Sequence, residues 1–157
     1  VWAGDGRAGD PRAAATDRRR SLALSQLSAL AAVQGISLVS LQKGPKAVEI
    51  ADSALDITDW TDELSDFADT AALVAELDLV IGVDTAVIHL AGGLGRPTWV
   101  LSRFDGCWRW LRQRPDNPWY PSLRIFRQSV WGDWEPTIAE LVIAIGEWVG
   151  TRAGKVE

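Results

Sequence analysis

Residues 76–97, ELDLVIGVDTAVIHLAGGLGRP, decide the fold. From Leu77 to Val83 the run is almost unbroken in apolar residues, short, and rich in Val and Ile. That pattern predicts a strand covered on both faces, as in a parallel sheet. Asp84 and Thr85 follow at once and are good helix-capping residues. Val87, Ile88, Ala91 and Leu94 then recur at helical spacing, Gly95 suits a left-handed stop, and Pro97 blocks continuation. The expectation is a buried strand, a tight turn and a helix.

Such a turn leaves the first amides of the helix unpaired, and with the helix dipole they form a ready anion site. His89 is the one histidine and lies four residues after Thr85, on the same helical face. A hydroxyl, a row of amides and an imidazole at a helix start suit a phosphate or pyrophosphate. A plain cap and a packed histidine account for the same residues.

Outward from this stretch, 157 residues fit a single domain, 1–157, with a real core. The apolar fraction of 47% and charged fraction of 24% are those of an ordinary globular protein. No apolar run reaches membrane-spanning length and no signal-peptide layout is present, so a cytoplasmic location is expected. One cysteine, Cys107, excludes an internal disulfide framework, and no metal-ligand cluster is legible. The start at Val1 and the lack of methionine point to a piece of a longer chain.

A net charge of -5 argues against a general nucleic-acid binder. The charge is segregated, however. Between Lys46 and Arg96 there are 11 acidic residues and no Lys or Arg, whereas residues 96–127 hold 7 Arg against Asp105 and Asp116. The first 20 residues hold 5 Arg against 3 Asp. These basic stretches either converge on an anionic ligand or are solvated surface.

Val1 to Ala3 reads as the end of a first strand, leading into Gly4, Gly6 and Gly9. That spacing spells G-x-G-x-x-G, but too few residues precede it and Asp10-Pro11 follows, so a dinucleotide site is not inferred. Small and charged residues down to Arg20 predict a long loop. A helix from Ser21 to Gly35, a strand at 36–41, a short helix at 46–51 and a strand at 54–57 are expected next. A helix capped by Asp69 or Thr70 and running to Glu76 precedes the central strand. Strands at 98–101 and 123–126, a Trp-rich irregular lid at 103–121, and a final helix opened by Asp133 and Pro136 complete the chain. Alternation of this kind predicts α/β class: a Rossmann-like, doubly wound parallel sheet of about six strands. In the common order 3-2-1-4-5-6, the crevice opens where strand one meets strand four. Gly4 and Asp5 would then face Asp84, Thr85, Ala86 and Val87.

The segments VDTAVIHLAGGLGRPTWVL, WRWLRQR and PWYPSLRIFRQ resemble the C-terminal part of glycosyltransferase family 9-like, heptosyltransferase-related proteins of the type found beside tetratricopeptide repeats. VWAG, RRRS, SLQKG and LSDFADTAALVAELDLVI fit the same pattern in order. The resemblance implies the C-terminal, donor-binding half of a GT-B glycosyltransferase, with a nucleoside-diphosphate sugar as ligand. It further implies that Asp84, Thr85, Ala86 and His89 hold the diphosphate and sugar, with Arg20, Gln42 and Lys43 supplying polar and basic groups. Phe67 and Ala68 would lie at the base. No metal or other cofactor is implied, and the catalytic base would come from an N-terminal domain. Ala86 departs from the usual Gly, and the loop GDGRAGDPRAAATD lacks the Asn, His and Lys of many relatives. A non-catalytic scaffold beside tetratricopeptide repeats, a nucleotide-sugar epimerase and an NAD-linked enzyme stand as alternatives.

Overall fold

The computed structural model describes residues 1–4, 10–112 and 114–153. Five short strands form among the described residues: β1 (Leu38–Ser40), β2 (Ile57–Asp59), β3 (Val80–Val83), β4 (Thr98–Ser102) and β5 (Leu123–Arg127). They make two parallel sheets, β1-β2 and β3-β4-β5, so the chain is α/β but with fewer strands than the six expected. The difference lies at the N-terminus. Val1 makes one parallel rung with β3: its amino group donates to the Ile81 carbonyl at 3.0 Å, and Val83 N–H donates to the Val1 carbonyl at 3.0 Å. On the side of β1, the Ala3 amide is met by the Gln42 side chain rather than by backbone. One rung does not make a strand.

Among the described residues four α-helices accompany the sheets: α1 (Pro11–Arg20), α2 (Phe67–Glu76), α3 (Ala86–Gly93) and α4 (Glu135–Ala153). The first overturns the expected loop. Asp10 accepts from the amides of Arg12 and Ala13, Pro11 fits the first turn, and Arg18, Arg19 and Arg20 sit at the negative end of the dipole. Good capping therefore makes a helix without an apolar stripe. The segment expected as a helix from Ser21 is a tighter 3₁₀-type stretch, Leu24–Ala32, that buries Leu24 and Leu30. The cap of α2 is Asp66, not Asp69 or Thr70, because its carboxylate reaches the amides of Ala68 and Asp69.

The three-stranded sheet is covered on both faces. Trp99, Leu101 and Phe126 pack toward Ile138, Leu141 and Ile145 of α4. Val100 and Ile125 point the other way, toward Val74 of α2 and Ile88 and Ala91 of α3. This is the period-2 alternation of a strand buried on both sides. Among the described residues no helix is long and apolar enough to cross a membrane.

Two glycines separate packing from propensity. A Cβ on Gly82 would stand 2.6 Å from the Val1 carbonyl oxygen, a backbone atom. One on Gly146, inside α4, meets nothing within 4 Å. Gly82→Ala should lower unfolding free energy by about 1–3 kcal/mol, and Gly146→Ala should raise it by about 0.5–1 kcal/mol. Urea denaturation of the two variants checks both signs, and equal effects would contradict the packing described.

Candidate functional site

β3 ends at Val83 and α3 begins at Ala86, with Thr85 at the capping position. Here the structure departs from a plain cap. The Thr85 side chain bonds none of the first amides of α3, and among the described residues its buried hydroxyl oxygen has no partner. Nor does Asp84 cap: its carboxylate lies 3.6 Å from His89 Nε2. The opening turn thus has free donors and an unpaired hydroxyl.

Arg20, the last residue of α1, comes across to this turn. Its guanidinium donates to the Asp84 carbonyl and pairs with the Asp17 carboxylate, while its buried Nε has no partner among the described residues. Gly4 lies directly against this pair, and any Cβ there would collide with Arg20 and Asp17. Gly4 and the start of α3 therefore meet through Arg20. Asp5, with the rest of the glycine spacing, lies outside the described residues.

Next to this corner is a cavity of about 760 Å³ lined by Thr16, Arg20, Asp84, Ala86, His89, Arg103, Cys107, Trp108 and Arg109. Its size falls within the usual range for small-ligand sites, roughly 300–1,000 Å³. Arg103 Nη1 is buried with no partner among the described residues, while its Nε reaches Asp105 at 3.3 Å. Thr16, Arg103, Cys107, Trp108 and Arg109 were not predicted individually. The signal for the arginines was the charge segregation: the two basic stretches do converge here.

His89 sits in an aromatic socket. Its ring stacks on buried Trp110 with centroids 5.0 Å apart and 15° between planes. Its Nδ1 lies 3.1 Å from the Tyr120 hydroxyl, and Tyr120 packs so closely on Gly92 that a Cβ there would be 2.8 Å from its ring. The Trp-rich segment is thus a lid in part: Trp110 fills the core, but Trp108 and Trp119 are exposed. Burial lowers the His89 pKa from its ordinary value; Asp84 opposes the shift and Arg109 adds to it. A neutral ring that accepts from Tyr120 at Nδ1 carries its proton on Nε2, toward Asp84.

The other expected residues lie elsewhere. Gln42 is buried, accepts from the Ala3 amide at 2.9 Å and donates to the Lys43 carbonyl, tying β1 to the N-terminal segment. The Lys43 ammonium donates to the Thr61 and Leu64 carbonyls. Phe67 and Ala68 open α2 and are exposed. Val87 is half-buried in the first turn of α3. None of these five lines the cavity. Among the described residues no group of three or more His, Cys, Asp or Glu could hold a metal ion.

Residues 34–101 match the sequence model of the family described as glycosyltransferase family 9 (heptosyltransferase). The chain is 40% identical over 87 residues to Protein FlbA of Caulobacter vibrioides (strain ATCC 19089 / CIP 103742 / CB 15). That match takes in 55% of this chain and 14% of the relative, so the chain spans only a small part of that protein's length. No solved structure matches significantly.

Because the folded ring favours its neutral form, the unfolded chain takes up the His89 proton first as pH falls. The stability this ring contributes is complete above about pH 6.5 and is lost as pH drops through the folded value. An NMR titration should place the His89 midpoint below 6.5, the ordinary value. Asp84→Asn should move it further down and Arg109→Ala should move it up. A midpoint at or above 6.5, or an upward move in Asp84→Asn, contradicts this electrostatic account.

Proposed function

From a chain that carries a glycosyltransferase family 9-like segment, we propose a Rossmann-like, nucleotide-sugar-binding domain: the C-terminal half of a GT-B glycosyltransferase. The proposed ligand is a nucleoside-diphosphate sugar, its diphosphate set against the opening turn of α3. One observation carries this assignment. Among the described residues, two buried guanidinium nitrogens without partners, Arg20 Nε and Arg103 Nη1, belong to side chains that line the cavity, and the unpaired Thr85 hydroxyl sits at the uncapped helix start beside it. Buried polar groups are nearly always paired, so an acceptor-rich ligand accounts for all three together.

In this assignment the amide of Ala86 and the arginines 20, 103 and 109, all of which line the cavity, face the diphosphate. As the bond from the sugar to the diphosphate breaks, negative charge grows on the leaving group. Fixed donors then stabilise the transition state more than the ground state. Neutral His89 donates a hydrogen bond from Nε2 and is not the base. The base that takes the acceptor hydroxyl's proton belongs to the other half of the enzyme, in the parent chain.

A second class of function is a non-catalytic scaffold, beside tetratricopeptide repeats, with a degenerate donor site. Lys43 favours it, since the one loop lysine expected at the phosphates spends its ammonium on two backbone carbonyls.

Calorimetry with UDP, ADP and GDP separates the two. The donor-site assignment expects one of them to bind, and Thr85→Val and Arg109→Ala each to weaken it by about tenfold or more, the loss of one charged hydrogen bond. Arg109 is exposed, so its loss should spare the fold. Binding indifferent to both substitutions would refute the site. Absence of binding by all three, in the chain and in its longer parent, would leave the scaffold.

A further inference from the structure

The turn that carries Trp108, Arg109 and Trp110 borders the cavity through its first two residues. It is a single 3₁₀-type turn, Trp108–Trp110, with no side-chain cap at Cys107. It runs out into Leu111, whose φ of 49° and ψ of 166° strain any residue with a Cβ. Among the described residues Leu111 is the one non-glycine at positive φ. Such a backbone persists only where its surroundings over-determine it.

The carbonyls show what holds it. Those of Cys107 and Trp108 are taken within the turn, by the amides of Trp110 and Leu111. The next three go to side chains from elsewhere in the chain. Asn117 Nδ2 donates to the Arg109 carbonyl at 2.7 Å, and Arg127 Nη2 donates to the carbonyls of both Trp110 and Leu111. Arg127 Nη1 also donates to Ser102 Oγ at 3.2 Å, which ties the guanidinium to the end of β4. Gly106 lets the chain pass this close, since a Cβ there would stand 2.8 Å from Arg127 Nη1. Asn117 is buried, and its Oδ1 accepts from the amides of Trp119 and Tyr120 at 2.9 and 3.3 Å. One side chain therefore joins both ring partners of His89: Trp110 through the Arg109 carbonyl, and Tyr120 through its amide.

We propose that Arg127 and Asn117 are positioning residues, which clamp the carbonyls of Arg109 to Leu111 and so set Trp110 against His89 and Arg109 at the cavity. Neither lines the cavity, so each acts through the turn. Arg127 is half-buried and its three bonds go to uncharged oxygens. Burial lowers its pKa, and Arg112 adds to the shift. Holding a cation there costs stability that apolar packing would not. The planar, rigid spread of a guanidinium suits these three acceptors, and a rotating ammonium does not. The consequence for a ligand rests on the diphosphate reading above, whereas the consequence for His89 needs no ligand.

The test compares Arg127→Lys, which keeps the charge but not the planar donors, with Asn117→Asp, which keeps the acceptor but not the donor. The His89 ring protons are followed by NMR above the titration of the ring, where the Trp110 face shields them in the unaltered protein. Both variants should move them downfield, toward an unstacked imidazole, while the amides of the sheet stay in place. Arg127→Lys should also raise the His89 midpoint toward 6.5 and weaken pyrophosphate binding by roughly threefold to tenfold. Leu141→Ala, a buried loss on the α4 face, is the control, and should lower the melting temperature without shifting the His89 ring. If Arg127→Lys fails to fold, Asn117→Asp and Gly106→Ala, which presses on the Arg127 guanidinium, decide by the same shifts. Variants that lose stability as the control does, with the His89 resonances unmoved, overturn the proposal. Ring shifts as expected, with no pyrophosphate bound by the unaltered protein, support the clamp and remove the diphosphate site. Pyrophosphate bound, with His89 unmoved in both variants, does the reverse.

Discussion

The reach of Arg20 to the Asp84 carbonyl holds the functional corner together. It fixes the end of α1 against the turn between β3 and α3, with Gly4 pressed on the same guanidinium. Asp17 neutralises one side of that guanidinium, leaving Nε buried and unpaired among the described residues. The N-terminal segment is also held by the Val1 rung, by the Gln42 side chain, and by Trp2, which is buried in the core, donates to Glu49 and accepts from the Leu22 amide. Several kinds of donor then meet at one place, drawn from segments far apart in the chain. The uncapped amides of α3 come from the central stretch, Arg20 from the first helix, and Arg103 and Arg109 from the segment after β4.

The same corner explains why the aromatic residues are divided as they are. Trp110 is wholly buried and acts as a floor for His89, which is then held between Tyr120 and Asp84. Such a ring is oriented before any ligand arrives, and orientation in advance is what a site for developing charge requires. Trp108, exposed at the rim of the cavity with Arg109 stacked over it, leaves the entrance open.

The central strand, turn and helix were legible because three independent signals agreed over residues 76–97: apolar run, helical spacing and a glycine stop at Gly95, which indeed has φ of 70°. Helix α1 was missed for the opposite reason. Its residues carry no apolar period, and only the pair Asp10-Pro11 announced a cap. Thr85 and His89 follow from spacing, since both lie on one short helix start. Arg103 and Arg109 do not, because an irregular segment has no period from which to place a side chain. Only their charge hinted at convergence. Lys43 shows the converse: its position after β1 was readable, but not the two carbonyls that take its ammonium. The expected first strand is present only as an apolar run at Val1–Ala3 that pairs with β3 through a single rung.

The central claim is that the free amides opening α3 cradle a diphosphate. Titration of inorganic pyrophosphate, followed through the backbone amide resonances, tests it most directly. The account predicts that Ala86 and Val87 shift together with the His89 ring and the Arg103 side chain, along one saturating curve. Shifts confined to other surfaces, or a helix start that stays still while pyrophosphate binds elsewhere, would contradict it.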